Sequence, residues 1–324
     1  PAFALLASRA SPKNIVLVAL LAALGSAIAI AVGFHDVRIR QLDRAAGGTS
    51  PIFFSDMAVV LGYFALLGML IWKSAWRWLL AIGNALAVGA ALYGGSRGAM
   101  IAEMAILLLF CVYTVVWWDR PMRTRIVTAL GVVGIAALFS FGLFDLSRAS
   151  SILSTASNIV TTGEAVSDSA SANLSTNIRL KFWAAGIQAF LDSPVYGHSW
   201  WNRFEAAIPY MPLDISGELS HDKTAHLHND IINFASGAGL MGVFAYLLLI
   251  AAPVVSAWFS ARNERWKLRL FAAFGFSAAY FVMGLTDTMF VFEIPKSMFV
   301  LCSAVLMAFF ADQALPRAKV SIAK

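Results

Sequence analysis

The chain has 324 residues, of which 60% are hydrophobic and only 13% are charged, whereas about 25% of the residues of a typical soluble domain are charged. Together with a mean hydropathy of +0.74, this composition excludes a water-soluble globular protein. Charge-free runs recur along the chain and are too continuous for the alternating strands of a membrane β-barrel. The sequence therefore predicts an all-α integral membrane protein. Cys111 and Cys302 lie inside apolar runs, where we expect small hydrophobic side chains rather than a disulfide.

A helix needs about 20 apolar residues to cross the core of a bilayer. Runs of about this length, bounded by charged or Pro/Gly clusters, predict about eight spans. They lie near residues 15–34, 57–72, 78–93, 99–118, 126–144, 231–259, 270–286 and 297–311. We therefore predict a multi-span helical bundle.

The connecting segments alternate between the two sides of the membrane. Most Lys and Arg residues fall in one set of segments, which comprises residues 1–14, 73–77, 119–125, 260–269 and 312–324. Short basic segments stay in the cytoplasm, so we predict that both ends of this chain are cytoplasmic. The net charge of +6 follows from this topology and does not require a nucleic-acid partner.

The predicted organisation has three parts. Residues 1–144 carry spans one to five, residues 145–228 form an extracytoplasmic cap loop, and residues 229–324 carry spans six to eight and a cytoplasmic tail. The cap loop is far longer than the 2–6 residues that usually join such elements. Its first part, Ser150–Asn177, is rich in Ser, Thr, Ala and Asn and has no hydrophobic period, which predicts a mobile strap or lid.

The second part of the cap loop predicts an interfacial helix over Ile178–Leu191. Ser175 and Thr176 offer capping hydroxyls before it. Its apolar stripe comprises Ile178, Phe182, Ile187 and Phe190. The aromatic residues of the stretch 200–212 are of the kind that lie at the level of lipid headgroups.

The link Gly94-Gly95-Ser96-Arg97-Gly98 joins two predicted spans at the outer membrane surface. An unpaired charge is costly there. The link suits an anion, because glycines expose backbone N–H groups, the next helix presents its N-terminus, and Arg97 supplies a bidentate guanidinium. An alternative fits the motif equally well: Arg97 reaches lipid phosphates or pairs with Glu103.

Two further cations, Arg179 and Lys181, stand at the start of the predicted interfacial helix. A second cation beside Arg97 would suit a pyrophosphate, whose two negative groups need more than one donor fork. A basic amphipathic helix that rests on anionic lipid uses the same residue types. The sequence alone leaves both interpretations open.

Two histidines precede the sixth predicted span, in the stretch from Thr224 to Asp230. Asn229 can cap the following helix and Asp230 adds a carboxylate to its first turn, but capping does not explain the histidines. Histidine is the side chain best suited to accept a proton near neutral pH, which favours a general base. A metal site is the rival hypothesis, with ligand types at His221, Asp222, His226, His228 and Asp230. The His-x-His spacing argues against metal, because we expect two such side chains to share a face only in an extended strand.

Three short motifs occur in order along the chain. They are Ser96-Arg97-Gly98-Ala99, Arg179-x-x-x-Trp183 followed by Ser193-Pro194-x-x-Gly197-His198, and His228-Asn229 followed by Gly239-x-x-Gly242 and Phe244. Each is weak alone, but together they resemble the O-antigen ligase and polymerase superfamily. The resemblance covers residues from about 40 to 300.

The resemblance implies a GT-C-like enzyme of the bacterial inner membrane whose active site faces the periplasm. Such an enzyme transfers a glycan from undecaprenyl pyrophosphate to an acceptor hydroxyl without metal or other cofactor. For this chain the resemblance implies that Arg97 and Arg179 hold the pyrophosphate and that His228 is the base. Four further residues are then expected to contribute to substrate binding: His226, Lys181, Trp183 and Asp287.

We expect an O-antigen ligase whose partners are the lipid-linked glycan, the lipid A-core acceptor and membrane lipids. A polymerase or a protein O-oligosaccharyltransferase would use the same donor, and Gly237, where many relatives have a polar or acidic residue, bears on this choice. A transporter is the third alternative, although transporters place charges near the bilayer midplane, whereas the polar residues here are expected at one face. Family members usually have about a dozen spans, so the resemblance predicts further helices before residue 1.

Overall fold

The structure is a computed structural model that describes residues 12–141, 170–212 and 226–311. Within these ranges the regular structure is helical and no β-strand is present, which confirms the predicted all-α class. The α-helices of these ranges are α1 Pro12–Phe34, α2 Pro51–Ile71, α3 Trp78–Gly94, α4 Arg97–Val112, α5 Met122–Phe141, α6 Ala170–Asp192, α7 Asp230–Trp258, α8 Trp266–Thr286 and α9 Glu293–Ala311. Short π-helical turns follow α1 and α4, and 3-10 turns occur at Ala75–Arg77 and Glu205–Tyr210.

Seven segments of the described chain are long and apolar enough to cross a membrane. They are Asn14–Ile39, Pro51–Ile71, Ala75–Gly94, Arg97–Trp117, Met122–Ser140, Asp230–Trp258 and Trp266–Thr286. Seven of the predicted spans therefore fall on such segments, which confirms a multi-span membrane protein. The eighth predicted span falls on α9, which is not one of the seven.

The second span begins several residues before its predicted start. Ser50 caps α2, since its hydroxyl oxygen accepts a hydrogen bond from the backbone N–H of Ile52 at 3.3 Å, and Pro51 occupies a first-turn position where its missing N–H costs nothing. Asp56 therefore lies inside the span and is buried. Glu103 is also buried within a span, where it accepts a hydrogen bond from Asn84 at 2.8 Å.

The chain divides into two units. The first comprises Pro1–Phe141, Ala251–Tyr280 and Ile294–Lys324, and the second comprises Gly142–Ile250 and Phe281–Glu293. The second unit thus contains α6, most of α7, the end of α8 and the segment that follows α8.

Small residues allow close helix packing in the first unit. A Cβ atom added to Gly68 of α2 would lie 2.2 Å from the Cβ of Ala19, and one added to Gly83 of α3 would lie 2.5 Å from that of Ala23. Lipid tails are as apolar as the side chains, so membrane helices associate largely through such close contacts. Tyr63 adds a polar contact, because its hydroxyl donates a hydrogen bond to the carbonyl of Ala272 at 2.7 Å.

Helix α6 of the second unit is longer than predicted. It begins at Ala170, so Ser175 and Thr176 lie inside the helix and the prediction that they cap it is wrong. The part of the predicted strap up to residue 169 lies outside the described residues. Residues 170–177 of the predicted strap are helical and continue into the rest of α6, although their Ser- and Asn-rich composition indicated a loop.

The buried face of α6 also differs in part from the predicted stripe. Phe182, Ala185 and Ala189 are buried against Phe204 and its neighbours, whereas Ile187 is 48% exposed. Residues three and four positions apart share a helix face, so the face of Phe182 continues through the two alanines. The predicted stripe was chosen from the larger side chains, and the assignment of Ile187 to the buried face is therefore wrong.

Helix α7 is interrupted in its first half. Ala238 and Gly239 have non-helical backbone angles, with φ of −139° and 60°. The interruption frees backbone groups that the membrane cannot solvate. One of them is satisfied by the segment that follows α6, because the N–H of Leu240 donates to the carbonyl of Pro194 at 2.8 Å.

Two glycines of the motifs described in the sequence, Gly197 and Gly239, lie next to each other at this interruption. A Cβ on Gly197 would lie 2.4 Å from the backbone nitrogen of Ala238, and Gly239 is similarly crowded by backbone atoms. The N–H of His198 donates to the carbonyl of Ser236 at 2.9 Å. The motifs therefore contain glycine at these positions because the two backbones touch and both glycines have positive φ.

Candidate active site

Polar side chains from three parts of the second unit meet at Asp287. This residue directly follows α8, and its side chain is almost fully buried. Its Oδ1 atom lies 3.1 Å from Nδ1 of His228 and 3.4 Å from Nε2 of His226. Its Oδ2 atom lies 3.9 Å from Nη2 of Arg179. One carboxylate thus contacts three side chains that can carry positive charge.

Arg179 also contacts the end of helix α8. Its Nη1 donates a hydrogen bond to the carbonyl of Thr286 at 2.7 Å. A helix ends in carbonyl groups without helical partners, and a cation is stabilised there. Arg179 is therefore held by the helix terminus and by Asp287 together, with a quarter of its side chain exposed.

The backbone at His228 turns sharply. Its φ of 49° lies in the left-handed region, which is uncommon for residues other than glycine. The indole N–H of Trp183 donates to the carbonyl of His228 at 3.2 Å, and the ring of Phe182 stacks parallel to the imidazole at 6.1 Å. Two aromatic residues of α6 therefore support this turn.

The turn brings His226 and His228 together, with ring centroids 4.1 Å apart. Both rings also reach Asp287. The expectation that a His-x-His pair shares a face only in an extended strand is therefore wrong for this chain. The left-handed conformation of His228 changes the direction of the backbone, so the two side chains converge without a strand.

The local environment fixes the protonation of this pair. Burial raises the pKa of Asp287, but its interactions with His226 and His228 and the charge of Arg179 outweigh burial and hold the pKa well below its usual range. An ionised carboxylate can only accept hydrogen bonds, so Nδ1 of His228 carries a hydrogen and Nε2 has the free lone pair. Burial lowers the pKa of His228, and this effect exceeds the opposing effect of Asp287.

Asn229 links the start of α7 to the end of α8. Its Oδ1 accepts the N–H of Ile232 at 3.1 Å, which confirms the predicted cap. Its amide nitrogen donates to the carbonyl of Leu285 at 3.0 Å. The cap residue therefore also fixes one side of the turn that carries Asp287.

Asp230 fixes the other side of the same turn. Its carboxylate is fully buried and accepts the N–H groups of Met289 at 3.0 Å and Phe290 at 3.4 Å. The sequence assigned Asp230 only a favourable place in the first helical turn. The structure adds that it holds the backbone directly after Asp287.

We expect Asp230→Asn to destabilise the turn that follows Asp287. The amide has one acceptor oxygen, so one of the two backbone N–H groups loses its partner at a cost of about 1–3 kcal/mol. The melting temperature should therefore fall, and Asp43→Asn on the exposed surface is the matched control. An unchanged melting temperature in the Asp230 variant would show that this contact does not hold the turn.

Among the described residues, His226, His228 and Asp287 form a group that could hold a metal ion, with ligand atoms within 4.8 Å of one another. Asp230 was part of the predicted ligand set, but its oxygens face the backbone N–H groups described above. His221 and Asp222 lie outside the described residues. The donor set of two imidazoles and one carboxylate is of the type that binds Zn²⁺.

The remaining predicted residues lie in different settings. Trp183 contacts the backbone of His228, and Lys181 is exposed on α6 two residues after Arg179. Arg97 belongs to the first unit, where it is the first residue of α4 and is half-buried. Ser96 caps this helix, its hydroxyl oxygen accepting the N–H of Ala99 at 3.3 Å. The roles of Arg97 and Lys181 in donor binding stay predictions.

In the part of the chain that the structure describes, seven apolar helical segments and a polar cluster beside two helix termini define a multi-span membrane protein with a candidate active site. The family model for O-antigen ligase matches residues 82–247, just over half of the chain, and the chain belongs to this family. The matched range contains Arg97, Arg179 and His228 and ends before Asp287. A search of curated proteins found no match.

Proposed function

We propose that this protein is an O-antigen ligase, a glycosyltransferase that moves O-antigen polysaccharide from undecaprenyl pyrophosphate to a sugar hydroxyl of lipid A-core. The reaction takes place at the periplasmic face of the bacterial inner membrane and requires no metal. Family membership supports a lipid-linked glycan donor and a lipid A-core acceptor in general. The observation that carries the mechanism is the contact of His228 with Asp287 beside Arg179.

His228 acts as the general base. Asp287 accepts the Nδ1–H of His228, which leaves the Nε2 lone pair available to the acceptor hydroxyl. As the hydroxyl oxygen bonds to the anomeric carbon, its proton moves to Nε2. The imidazolium that forms is stabilised by the carboxylate of Asp287, which holds the ring in orientation.

The leaving group is the pyrophosphate of the lipid carrier. The bond from the anomeric carbon to its oxygen breaks, and the electron pair stays on the phosphate. Arg179, which contacts Asp287, stabilises this charge, since a guanidinium fork matches phosphate oxygens. The hydroxyl attacks opposite the departing pyrophosphate, so a single displacement inverts the anomeric configuration.

We expect purified protein to join a lipid-linked glycan to lipid A-core after exhaustive treatment with EDTA. The products from three acceptors should be compared by size: lipid A-core, a second lipid-linked glycan and a Ser-containing periplasmic protein. Growth of the glycan alone would identify a polymerase, and attachment to protein alone would identify a protein O-oligosaccharyltransferase. Activity that EDTA abolishes and added metal restores would contradict the metal-independent mechanism.

A further inference from the structure

The contacts around Asp287 match the dimensions of a metal site as well as those of a catalytic pair. In tetrahedral Zn²⁺ sites the metal lies about 2.0–2.1 Å from nitrogen and oxygen ligands, which places neighbouring ligand atoms about 3.3–3.4 Å apart. Oδ1 of Asp287 lies 3.1 Å from Nδ1 of His228 and 3.4 Å from Nε2 of His226. These two separations match a tetrahedral site, and all three ligand atoms lie within 4.8 Å of one another.

We propose that His226, His228 and Asp287 form a reversible inhibitory site for a divalent transition-metal ion such as Zn²⁺. Binding of the ion follows from the geometry alone, whereas inhibition rests on the proposed role of His228 as the base. Two imidazoles and one carboxylate suit Zn²⁺ in a site that keeps its fourth position for a solvent molecule. The two histidine side chains are partly exposed, at 14% for His226 and 24% for His228.

The surroundings of the three ligands support a site of moderate affinity. The carboxylate of Asp287 is oriented by the N–H of Thr288 at 2.8 Å, and the turn at His228 is held by Trp183. Such outer contacts raise the affinity of metal sites. Arg179 opposes the ion, because its guanidinium lies 3.9 Å from Oδ2 of Asp287 and adds positive charge.

Metal binding and base catalysis exclude each other at His228. Without metal, Nδ1 carries the hydrogen that faces Asp287, and Nε2 has the lone pair. A metal ion at Nδ1 uses the lone pair of that nitrogen, so the single hydrogen of the neutral ring must move to Nε2. The acceptor hydroxyl then has no base, and transfer stops until the ion dissociates.

The direct test uses purified full-length chain, stripped with EDTA and titrated with Co²⁺, whose visible absorption reports tetrahedral ligation. We expect one equivalent to bind and to be displaced by Zn²⁺. His226→Ala should weaken binding by more than tenfold, since even outer contacts of metal ligands contribute about 10–100-fold. His35→Ala, which removes an exposed histidine of the first unit, is the matched control. His226→Gln provides a second variant if the alanine variant fails to fold.

Zn²⁺ should also inhibit transfer by the wild-type protein, and EDTA should restore it. Absence of Co²⁺ absorption, or binding that His226→Ala and His226→Gln leave unchanged, would overturn the site. Binding without inhibition would overturn its inhibitory role. Because the Co²⁺ titration requires no glycan, it decides the site even if the transfer reaction proves to be a different one.

Discussion

Replacement of His228 by Ala is expected to lower the rate of glycan transfer by about 10²–10⁴-fold, which is the usual contribution of a general base. The physical reason is that Nδ1 of His228 donates its hydrogen to Asp287. The other ring nitrogen, Nε2, therefore has a lone pair that can accept the proton of the acceptor hydroxyl. His226→Ala should cause a smaller loss, because His226 contacts the same carboxylate but is not assigned the proton transfer. Initial rates with saturating donor and acceptor measure the effect.

The left-handed backbone of His228 requires a second variant. Asn tolerates this conformation better than Ala, so His228→Asn removes the base with less strain in the turn. His35→Ala is the matched control for loss of a histidine elsewhere. Full activity in His228→Ala and His228→Asn, or a larger loss in His226→Ala, would contradict the assignment of the base.

Activity of the wild-type protein should fall as the pH is lowered through the pKa of His228. The base works only in its neutral form, and burial lowers this pKa below its ordinary value of about 6.5. The acid limb of the pH profile is therefore expected below pH 6.5, with activity retained at neutral pH. An acid limb above that value would show that another group controls the rate.

The membrane spans were the most predictable part of the fold. The bilayer core contains no water to hydrogen-bond with backbone groups, so a span must be a long apolar helix whose backbone groups bond to one another. Charge-free runs in the sequence therefore locate the spans well. The boundaries were less predictable, because a span can include a buried carboxylate such as Asp56. The start of α6 was missed for a related reason, since a Ser- and Asn-rich stretch such as 170–177 can be helical in its tertiary context.

From residue chemistry alone, the candidate site was predictable only where its residues are neighbours in the sequence. His226 and His228 were indicated by the chemistry of histidine, and their helix cap by Asn229. Asp287 lies 59 residues after His228, so no spacing rule connects them, and only the family resemblance pointed to it. The backbone contacts of Asp230 required the fold, because its position in a first helical turn already had a sufficient local explanation.

Asp287→Asn is expected to lower transfer by roughly 10²–10⁴-fold, a loss comparable to that of the base itself. The amide of Asn can donate a hydrogen bond to Nδ1 of His228, which favours the tautomer whose hydrogen is on Nε2. The lone pair needed by the acceptor hydroxyl is then absent. Arg179 also loses the charge of its carboxylate neighbour.

The pH profile distinguishes this mechanism from a simple loss of stability. Asp287 raises the pKa of His228 through its hydrogen bond and charge, so the residual activity of Asp287→Asn should have its acid limb at lower pH than the wild type. Asp119→Asn, at an exposed carboxylate of the first unit, should leave rate and profile unchanged. A variant at position 287 that keeps half of the wild-type rate, or loses rate with an unshifted acid limb, would show that Asp287 does not orient His228. In that case His228 would act without support from the carboxylate that it contacts.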